Sequence, residues 1–342
     1  MTQRRPTSFD IAALAGVSQP TVSRALSGSP SVSAETRARV LAAAAKLNYK
    51  VDKNASGLRR QQSRTLAVLF FEEAAHDGGL LNPFYLSMLG HMVRSSAARG
   101  YDLLISMQQL SADWHVDYED SRKADGMVLL GYGDYLAYRP KLDRLVSQGT
   151  HFVRWGSARD SRIGAVVGCD NEQGGFDATK HLLQNGRRRI AFLGTAEAGY
   201  PEFLERWRGY RRALRAAGIR ADRRLQVDAH PSEVSGREAV AELLSRAVPF
   251  DAIFAASDLT AIGAMHALQA IGTAIPGDVD VIGFDDIPAA SLSSPPLTTV
   301  TQDAREAGEA LIDALIEAIE AGTAKNRLLP VRLTVRESTR SD

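Results

Sequence analysis

Several things are scarce in this chain, and each scarcity closes off a class of protein. Cys169 is the single cysteine in 342 residues, so no disulfide forms within the chain, which fits a reducing cytoplasm and excludes a disulfide-stapled scaffold. No stretch approaches the roughly 18 consecutive apolar residues of a membrane span. The opening "MTQRRPTSFD" has basic residues without an apolar segment behind them, so a secretory signal is not expected. There is no His/Cys cluster at zinc-ligand spacing and no GxxxxGKS or GxxxxGKT phosphate loop, so neither a metal nor a cofactor is expected. A nucleophile with its base is missing too. Asp285 and Asp286 are adjacent and would point to opposite sides if they continue a strand, which makes no acid/base pair. The expectation is a protein that binds rather than reacts.

The length suits two or three domains. At 44% hydrophobic and 24% charged residues, the composition is that of a globular protein. Overall net charge is only +1, yet residues 1–64 hold eleven Lys/Arg against Asp10, Glu35 and Asp52. That segment is therefore +8 and the remainder −7. A small basic module on a mildly acidic body is the layout of a nucleic-acid binder with a second task.

Within the basic segment, "FDIAALAGVSQPTVSRALSG" reads as two short helices joined through a glycine. Thr7 caps the first, with Asp10 in its first turn and Ile11, Leu14 and Ala15 as its inward face. Gly16 ends it and Val17 packs in the turn. Ser18 caps the second, Pro20 sits in its first turn, and Val22 and Leu26 face inward. Gln19, Thr21, Ser23 and Arg24 remain outward. Ser33 caps a third helix with Val40, Leu41, Ala44 and Leu47 buried. The periodicity also fits a plain three-helix bundle. The basic excess and the polar outer face of the second helix favour a helix-turn-helix on DNA.

From Arg64 the pattern changes. "TLAVLFF", "YDLLIS", "ADGMVLLG", "THFVRWG", "AVVGCD", "RIAFLG", "DAIFAAS" and "VDVIGFDD" are apolar strand runs with helices interleaved. Such alternation implies parallel sheets covered on both faces, and too many units for one ordinary sheet. Two Rossmann-like lobes are expected, with ligands at the C-terminal strand ends, where "NPFY", Trp155, Cys169, Asp170, Ser257, Asp258 and Asp285 fall.

The stretch "DIAALAGVSQPTVSRALSGSPSVSAETRARVLAAAAKLNY", followed by "ASGL", resembles the headpiece of LacI/GalR-type transcriptional regulators. The likeness continues in order through "NPFY", "GCDNEQGG", "HLLQNGRRRIAFLG", "GFDDIP" and "SPPLTTVTQD". It implies a helix-turn-helix headpiece over residues 1–50, a hinge over 51–63, and a periplasmic-binding-protein-like α/β body over 64–342. In that body an N-lobe covers about 64–163 and 292–326, and a C-lobe about 164–291 and 327–342, with crossings near 164, 291 and 327.

By resemblance, Gln19, Pro20, Ser23 and Arg24 meet base edges in the major groove. Arg24 suits a guanine, Gln19 an adenine, and Pro20, a departure from the family, an apolar contact. Thr21 lies on the same face. Thr7, Ser18, Ser33, Thr36 and Tyr49 match phosphate-holding positions. Leu58, with Ala55 one turn earlier, matches the hinge leucine that wedges into the minor groove; the residue-level alternative is a linker leucine. Ser56 and Gly57 stand where many members have arginine and serine, which bears on the stability of the hinge.

In the body, Arg206 matches the effector-anchoring arginine and Asp285 the acid that takes hydroxyls or amines. Phe84 and Tyr85 match an aromatic wall. Ser257 replaces a common asparagine, Tyr200 and Glu202 lie where some relatives touch ligand, and Cys169, Asp170 and Gln302 complete the expected lining. Cys169 reads as a small wall residue rather than a nucleophile. Trp155 suits a sugar-stacking platform, or equally a filler between lobes; Asp285 alone also reads as a strand-end cap.

The implied function is a cytoplasmic, homodimeric repressor on a pseudo-palindromic operator of double-stranded DNA, released by a mono- or disaccharide or glycoside effector. The alternatives are a purine or amino-sugar effector, or a corepressor. A sugar-binding transport protein would share the body, but not the basic headpiece. No heptad tail follows "VRESTRSD", which favours a dimer over a coiled-coil tetramer.

Overall fold

The computed structural model describes residues 6–49, 62–70, 81–107, 113–131, 134–158 and 163–340. It separates into two compact units, Met1–Ser63 and Arg64–Asp342. Ala55 and Leu58, the expected hinge contacts, lie outside the described residues.

In the first unit, α1 (Ser8–Ala15), α2 (Gln19–Leu26) and α3 (Ala34–Lys46) close around Ile11, Ala12, Ala15, Val22, Ala25, Val32, Val40, Ala43 and Ala44. The Asp10 carboxylate accepts both the N–H and the hydroxyl of Thr7 at 2.7 Å, locking the start of α1. Gly16 adopts the left-handed conformation at φ 64° and ends it. Arg39 of α3 then donates to the Ala15 carbonyl at 2.6 Å, a cation on the negative end of the helix.

Two leucines depart from expectation. Leu14 and Leu41 are exposed, while Leu26 and Leu47 sit half-buried at the core's edge. The reason is angular. Ile11, Ala12 and Ala15 centre the inward face of α1, and at 100° per residue Leu14 stands about 110° round from that centre. Leu41 is displaced similarly from Val40, Ala43 and Ala44.

The second unit is built on two sheets of six strands. The first contains β1 (Thr65–Phe70), β2 (Asp102–Met107), β3 (Gly126–Leu130), β4 (Phe152–Trp155), β5 (Ala165–Cys169) and β11 (Arg327–Leu329), in the spatial order β11-β5-β4-β3-β1-β2. The second contains β6 (Ile190–Leu193), β7 (Gln226–Val227), β8 (Ala252–Ala255), β9 (Asp280–Asp285), β10 (Thr298–Gln302) and β12 (Val331–Thr334), ordered β12-β10-β9-β8-β6-β7. All neighbours are parallel except β10 and β12. β1, β3, β5, β8 and β9 are buried along almost their whole length, as strands covered on both faces must be.

The lobes exchange chain later than expected. β5 pairs with β4, Val153 opposite Ala165, and β11 pairs with β5, so both belong to the N-lobe. β10 pairs with β9 and belongs to the C-lobe. The crossings therefore follow Cys169, Gln302 and Leu329, rather than lying near 164, 291 and 327. In each case the strand completes its ladder with the sheet behind it before the chain leaves.

Two helix pairs of the C-lobe approach unusually closely. A Cβ on Gly175 would strike the Arg206 backbone, and one on Gly209 the Glu172 carbonyl. These glycines let the helix Asn171–Gln184 lie against Pro201–Ala216. Gly236 and Gly263 do the same for Glu233–Ser245 and Asp258–Ala270.

Removing the guanidinium that caps α1 leaves a carbonyl to water. Arg39→Ala is expected to destabilise the headpiece by about 1 kcal/mol, read by calorimetry of the full chain as a lower headpiece transition with the body transition unmoved.

Candidate functional site

In the headpiece, α2 presents Pro20 and Arg24 as exposed residues, with Thr21 and Ser23 half-buried beside them. Gln19 is half-buried and donates from Nε2 to Ser8 Oγ at 3.2 Å. Ser18 stands at the N-cap position, but its hydroxyl pairs with that of Thr21 at 2.8 Å rather than with the backbone. Ser33 does cap α3, accepting the Thr36 N–H at 3.2 Å. Thr7 is engaged with Asp10, and Tyr49 packs on the core's edge. Two of the segment's arginines serve the fold: Arg37 holds the Ser29 carbonyl at 2.7 Å, and Arg39 caps α1. Arg24 is the outward cation of the second helix.

In the body, the strand ends bring together a line of buried polar side chains. Arg206, on the helix Pro201–Ala216, is 4% exposed. Its Nε donates to Asn171 Oδ1 at 2.8 Å, and its Nη1 donates to the Ala256 carbonyl and lies 3.5 Å from Asp285 Oδ1. The guanidinium carbon lies over the Phe284 ring, 3.7 Å from its centroid. Asp285 in turn accepts Gln302 Nε2 at 2.6 Å. The other atom of that amide, Gln302 Oε1, is buried and unpartnered. Sequence reasoning identified Arg206, Asp285 and Gln302, and the structure places them in direct contact.

It missed three partners of that line. Asn171 bridges Arg206, the Cys169 carbonyl and Glu205. Glu205, nearly buried, accepts the Ser157 hydroxyl from the other lobe. The Ser157 N–H donates to Glu202 Oε1 at 3.0 Å. Together with the bond from Tyr135 N–H to the Gly199 carbonyl at 2.8 Å, these contacts hold the lobes against each other. Asn171 and Glu205 sit beside Asp170 and Arg206 in "GCDNEQGG" and "LERWRGY", so adjacency was the available signal.

Other expected contacts also have structural tasks. Asp170 caps the helix Asn171–Gln184 by accepting the Gln173 N–H at 3.0 Å. Ser257 caps Asp258–Ala270, accepting the Thr260 N–H at 3.3 Å. Trp155 is 5% exposed, tilted against Phe84 at 5.6 Å, with Tyr85 beyond Phe84; in this conformation it fills the lobe and is no open platform. Tyr200 precedes its helix with its ring 5.5 Å from that of His230. Cys169 is buried, and burial pushes its thiol well up, which suits a wall and not a nucleophile.

Asp286 turns away from Asp285, to Arg336 at 2.6 Å and Thr301 at 2.9 Å. Both acids have positive φ, 116° and 58°, a costly conformation for residues other than glycine. Burial raises the Asp285 carboxyl from 3.8 to about 6, with Arg206 and Gln302 opposing.

A helix-turn-helix unit followed by a two-lobed body with a polar cleft defines a ligand-responsive DNA-binding regulator. Residues 9–52 match the bacterial regulatory proteins, lacI family, and residues 179–339 match the periplasmic binding protein-like domain. The HTH-type transcriptional regulator CelR of Thermobifida fusca is 33% identical, over 98% of this chain and 99% of that protein. A CelR–cellobiose complex superposes with a TM-score of 0.72 at 32% identity, over 98% of this chain and all of that one. A lac repressor dimer bound to operator and the anti-inducer ONPF superposes with a TM-score of 0.82 at 26% identity, over 99% and 100%. The chain belongs to the LacI family of transcriptional regulators, a family of DNA-binding proteins rather than enzymes.

The raised Asp285 carboxyl has a signed consequence. Between its ordinary value of 3.8 and about 6 the folded state binds more proton than the unfolded, so this group's stabilisation is present at low pH and is lost as pH rises through about 6. Asp285→Asn is expected to remove that slope, seen as a flatter melting temperature against pH between about 4 and 7 than in the wild type.

Proposed function

We propose that this chain is a homodimeric repressor of carbohydrate-utilisation genes, released from a pseudo-palindromic operator by a neutral sugar bound between the lobes. One observation carries the reading of the effector. The Arg206–Asp285–Gln302 line is buried, and it ends in the unpartnered Gln302 carbonyl oxygen. An unmet buried acceptor is costly, and a ligand hydroxyl meets it. Around it, Glu202, Glu205 and Asp285 outnumber Arg206, which disfavours sugar phosphates and uronates. The sugar-bound state of CelR supports the same reading. The acid excess also suits a cationic amino sugar, which is the second reading.

On the DNA side, Gln19, Pro20, Ser23 and Arg24 read base edges, with Thr21 beside them. Thr7, Ser18, Ser33, Thr36 and Tyr49 hold phosphates. Ala55 and Leu58 enter the minor groove from the hinge. The dimer face follows from exposed apolar residues: Leu86 and Val93 on the helix Pro83–Ala98, Ile105 on the edge strand β2, and Ile271 and Leu292 on the other lobe. No helix among the described residues is long and apolar enough to cross a membrane.

Thermal shift against cellobiose, other mono- and disaccharides, amino sugars and nucleobases tests the effector. A ligand at 100 times its dissociation constant adds about 2.7 kcal/mol, and one neutral glycoside class is expected to produce that shift and to release the protein from DNA. A shift with nucleobases alone would sink the sugar reading. For the DNA side, selection from random duplexes should return a pseudo-palindrome, and Arg24→Ala should cost about 1–3 kcal/mol with relaxed preference at one base pair per half-site. A uniform loss across sequences would instead make Arg24 a phosphate contact.

A further inference from the structure

Asp258 is the most thoroughly buried acid near the cleft, at 0% exposure, and nothing above gives it a task. It opens the helix Asp258–Ala270, but its carboxylate reaches across to the turn after β9. Oδ2 accepts the Ile287 N–H at 2.8 Å, and Oδ1 accepts the Thr299 hydroxyl at 2.5 Å. Gly283 on β9 leaves the space: a Cβ there would collide with Asp258 Oδ1. The anchored N–H directly follows Asp285 and Asp286, the two consecutive residues with positive φ. That strained turn is what sends the Asp285 carboxylate to Arg206 and Gln302, and the Asp286 carboxylate to Arg336. Strain of this kind persists only where surrounding contacts over-determine it, and Asp258 supplies a contact at the turn's exit.

We propose that Asp258 is a positioning residue for Asp285, acting through the turn it anchors. The inference deepens the effector reading above and rests on it only where binding is measured. Two carboxylates in one dry site disfavour each other's ionised forms. Burial and the Asp285 charge both raise the Asp258 carboxyl well above the carboxylate range, against its bonds from Thr299 and Ile287. The groups facing Asp285 are Arg206 from the helix Pro201–Ala216, Gln302 from β10, Asp258 from its own helix, and the Cys169 thiol from β5. Asp286 is neutralised by Arg336. Arg206 and Gln302 favour the Asp285 anion against burial, and they reach it only while the turn stays where Asp258 holds it.

Asp258→Asn keeps an acceptor for the Ile287 N–H and a polar group for Thr299; Asp258→Ala removes both. The first measurement is a carbon-13 titration of the aspartate side-chain carboxyls in the full chain, with Asp285 assigned by Asp285→Asn. In Asp258→Ala the Asp285 midpoint is expected to rise by about one unit, a tenfold change in proton affinity, because the displaced carboxylate loses Arg206 and Gln302. Asp258→Asn is expected to keep the wild-type midpoint. A midpoint unmoved in Asp258→Ala overturns the proposal. The second measurement is the cellobiose titration. Asp258→Ala is expected to weaken binding at least about tenfold, and Asp258→Asn to recover most of that loss. Equal binding by wild type and Asp258→Ala likewise overturns the proposal. Should Asp258→Ala not fold, Asp258→Ser, whose shorter side chain does not reach Ile287, takes its place in both measurements. If the wild type does not bind cellobiose while the midpoint moves, the effector reading fails and Asp258's role stands.

Discussion

The cleft depends on one buried cation. Arg206 is taken out of water almost completely, and a guanidinium in that position is tolerated only with its donors met. Asn171, the Ala256 carbonyl and Asp285 meet them, and the Phe284 ring supplies a flat electron-rich floor. Those partners come from three different segments: the start of the helix Asn171–Gln184, the exit of β8, and the last two residues of β9, all drawn around the helix that carries Arg206. Removing one partner would leave a charge stranded, which costs several kcal/mol in comparable buried pairs. The position of the helix is thus tied to the geometry of the site, and the glycines at 175 and 209 are where the backbone makes way for it.

The same helix also joins the lobes. Glu202 and Glu205 project from the turns around Arg206 and take both polar groups of Ser157, on the loop that follows β4. Glu205 also reaches Asn171 at 3.4 Å. A chain of contacts therefore runs from the N-lobe through Ser157, Glu205 and Asn171 to Arg206 and the C-lobe site. On the proposed reading, a ligand settling on Asp285 and Gln302 enters a network whose other end joins the lobes through Ser157. Such a ligand changes the protein's behaviour only by as much as it favours one lobe angle over another. The network supplies a physical basis for that difference, because any ligand donor accepted by Asp285 or Glu205 competes with Arg206, Gln302, Ser157 or Asn171.

Much of this architecture was legible in the sequence, and what was not had definite reasons. The long apolar runs that became β1, β3, β4, β5, β6, β8 and β9 announced themselves, since strands buried on both faces are apolar at every position. β10, "TTVTQ", is as buried as any of them, but its threonines hide it from a hydrophobicity reading. β7, β11 and β12 are two to four residues long, too short for any period to show. The lobe exchanges were misplaced by several residues because a strand's sheet is settled by its neighbours, which lie far away in sequence. In the site, Arg206 and Asp285 were legible through the family likeness of the motifs that carry them. Asp170 and Ser257 show that a strand end in an α/β fold is also a helix start, where a short oxygen caps the helix as well as facing the cleft end of the sheet. Leu14 and Leu41 show the converse limit. Alanine-rich helices leave the apolar face ambiguous, and the alanines won the core.

The corrected crossings change how the two sites must communicate. They follow Cys169, Gln302 and Leu329, the C-terminal ends of β5, β10 and β11, which is where the polar line runs. Gln302 is both an Asp285 partner and the last residue before a crossing. Asn171 is both an Arg206 partner and the first helical residue beyond one. Two of the crossings are fastened to each other, the Asp170 N–H donating to the Leu329 carbonyl at 3.1 Å. Two lead directly into helices capped by aspartate, Asp170 on Gln173 and Asp303 on Arg305 and Glu306. A capped helix resists fraying, so a change of lobe angle has few places to be absorbed: the torsions of Cys169–Asp170, Gln302–Asp303 and Leu329–Val331. If the effector is held by Gln302 and Arg206, as proposed, it sits about one residue from those torsions.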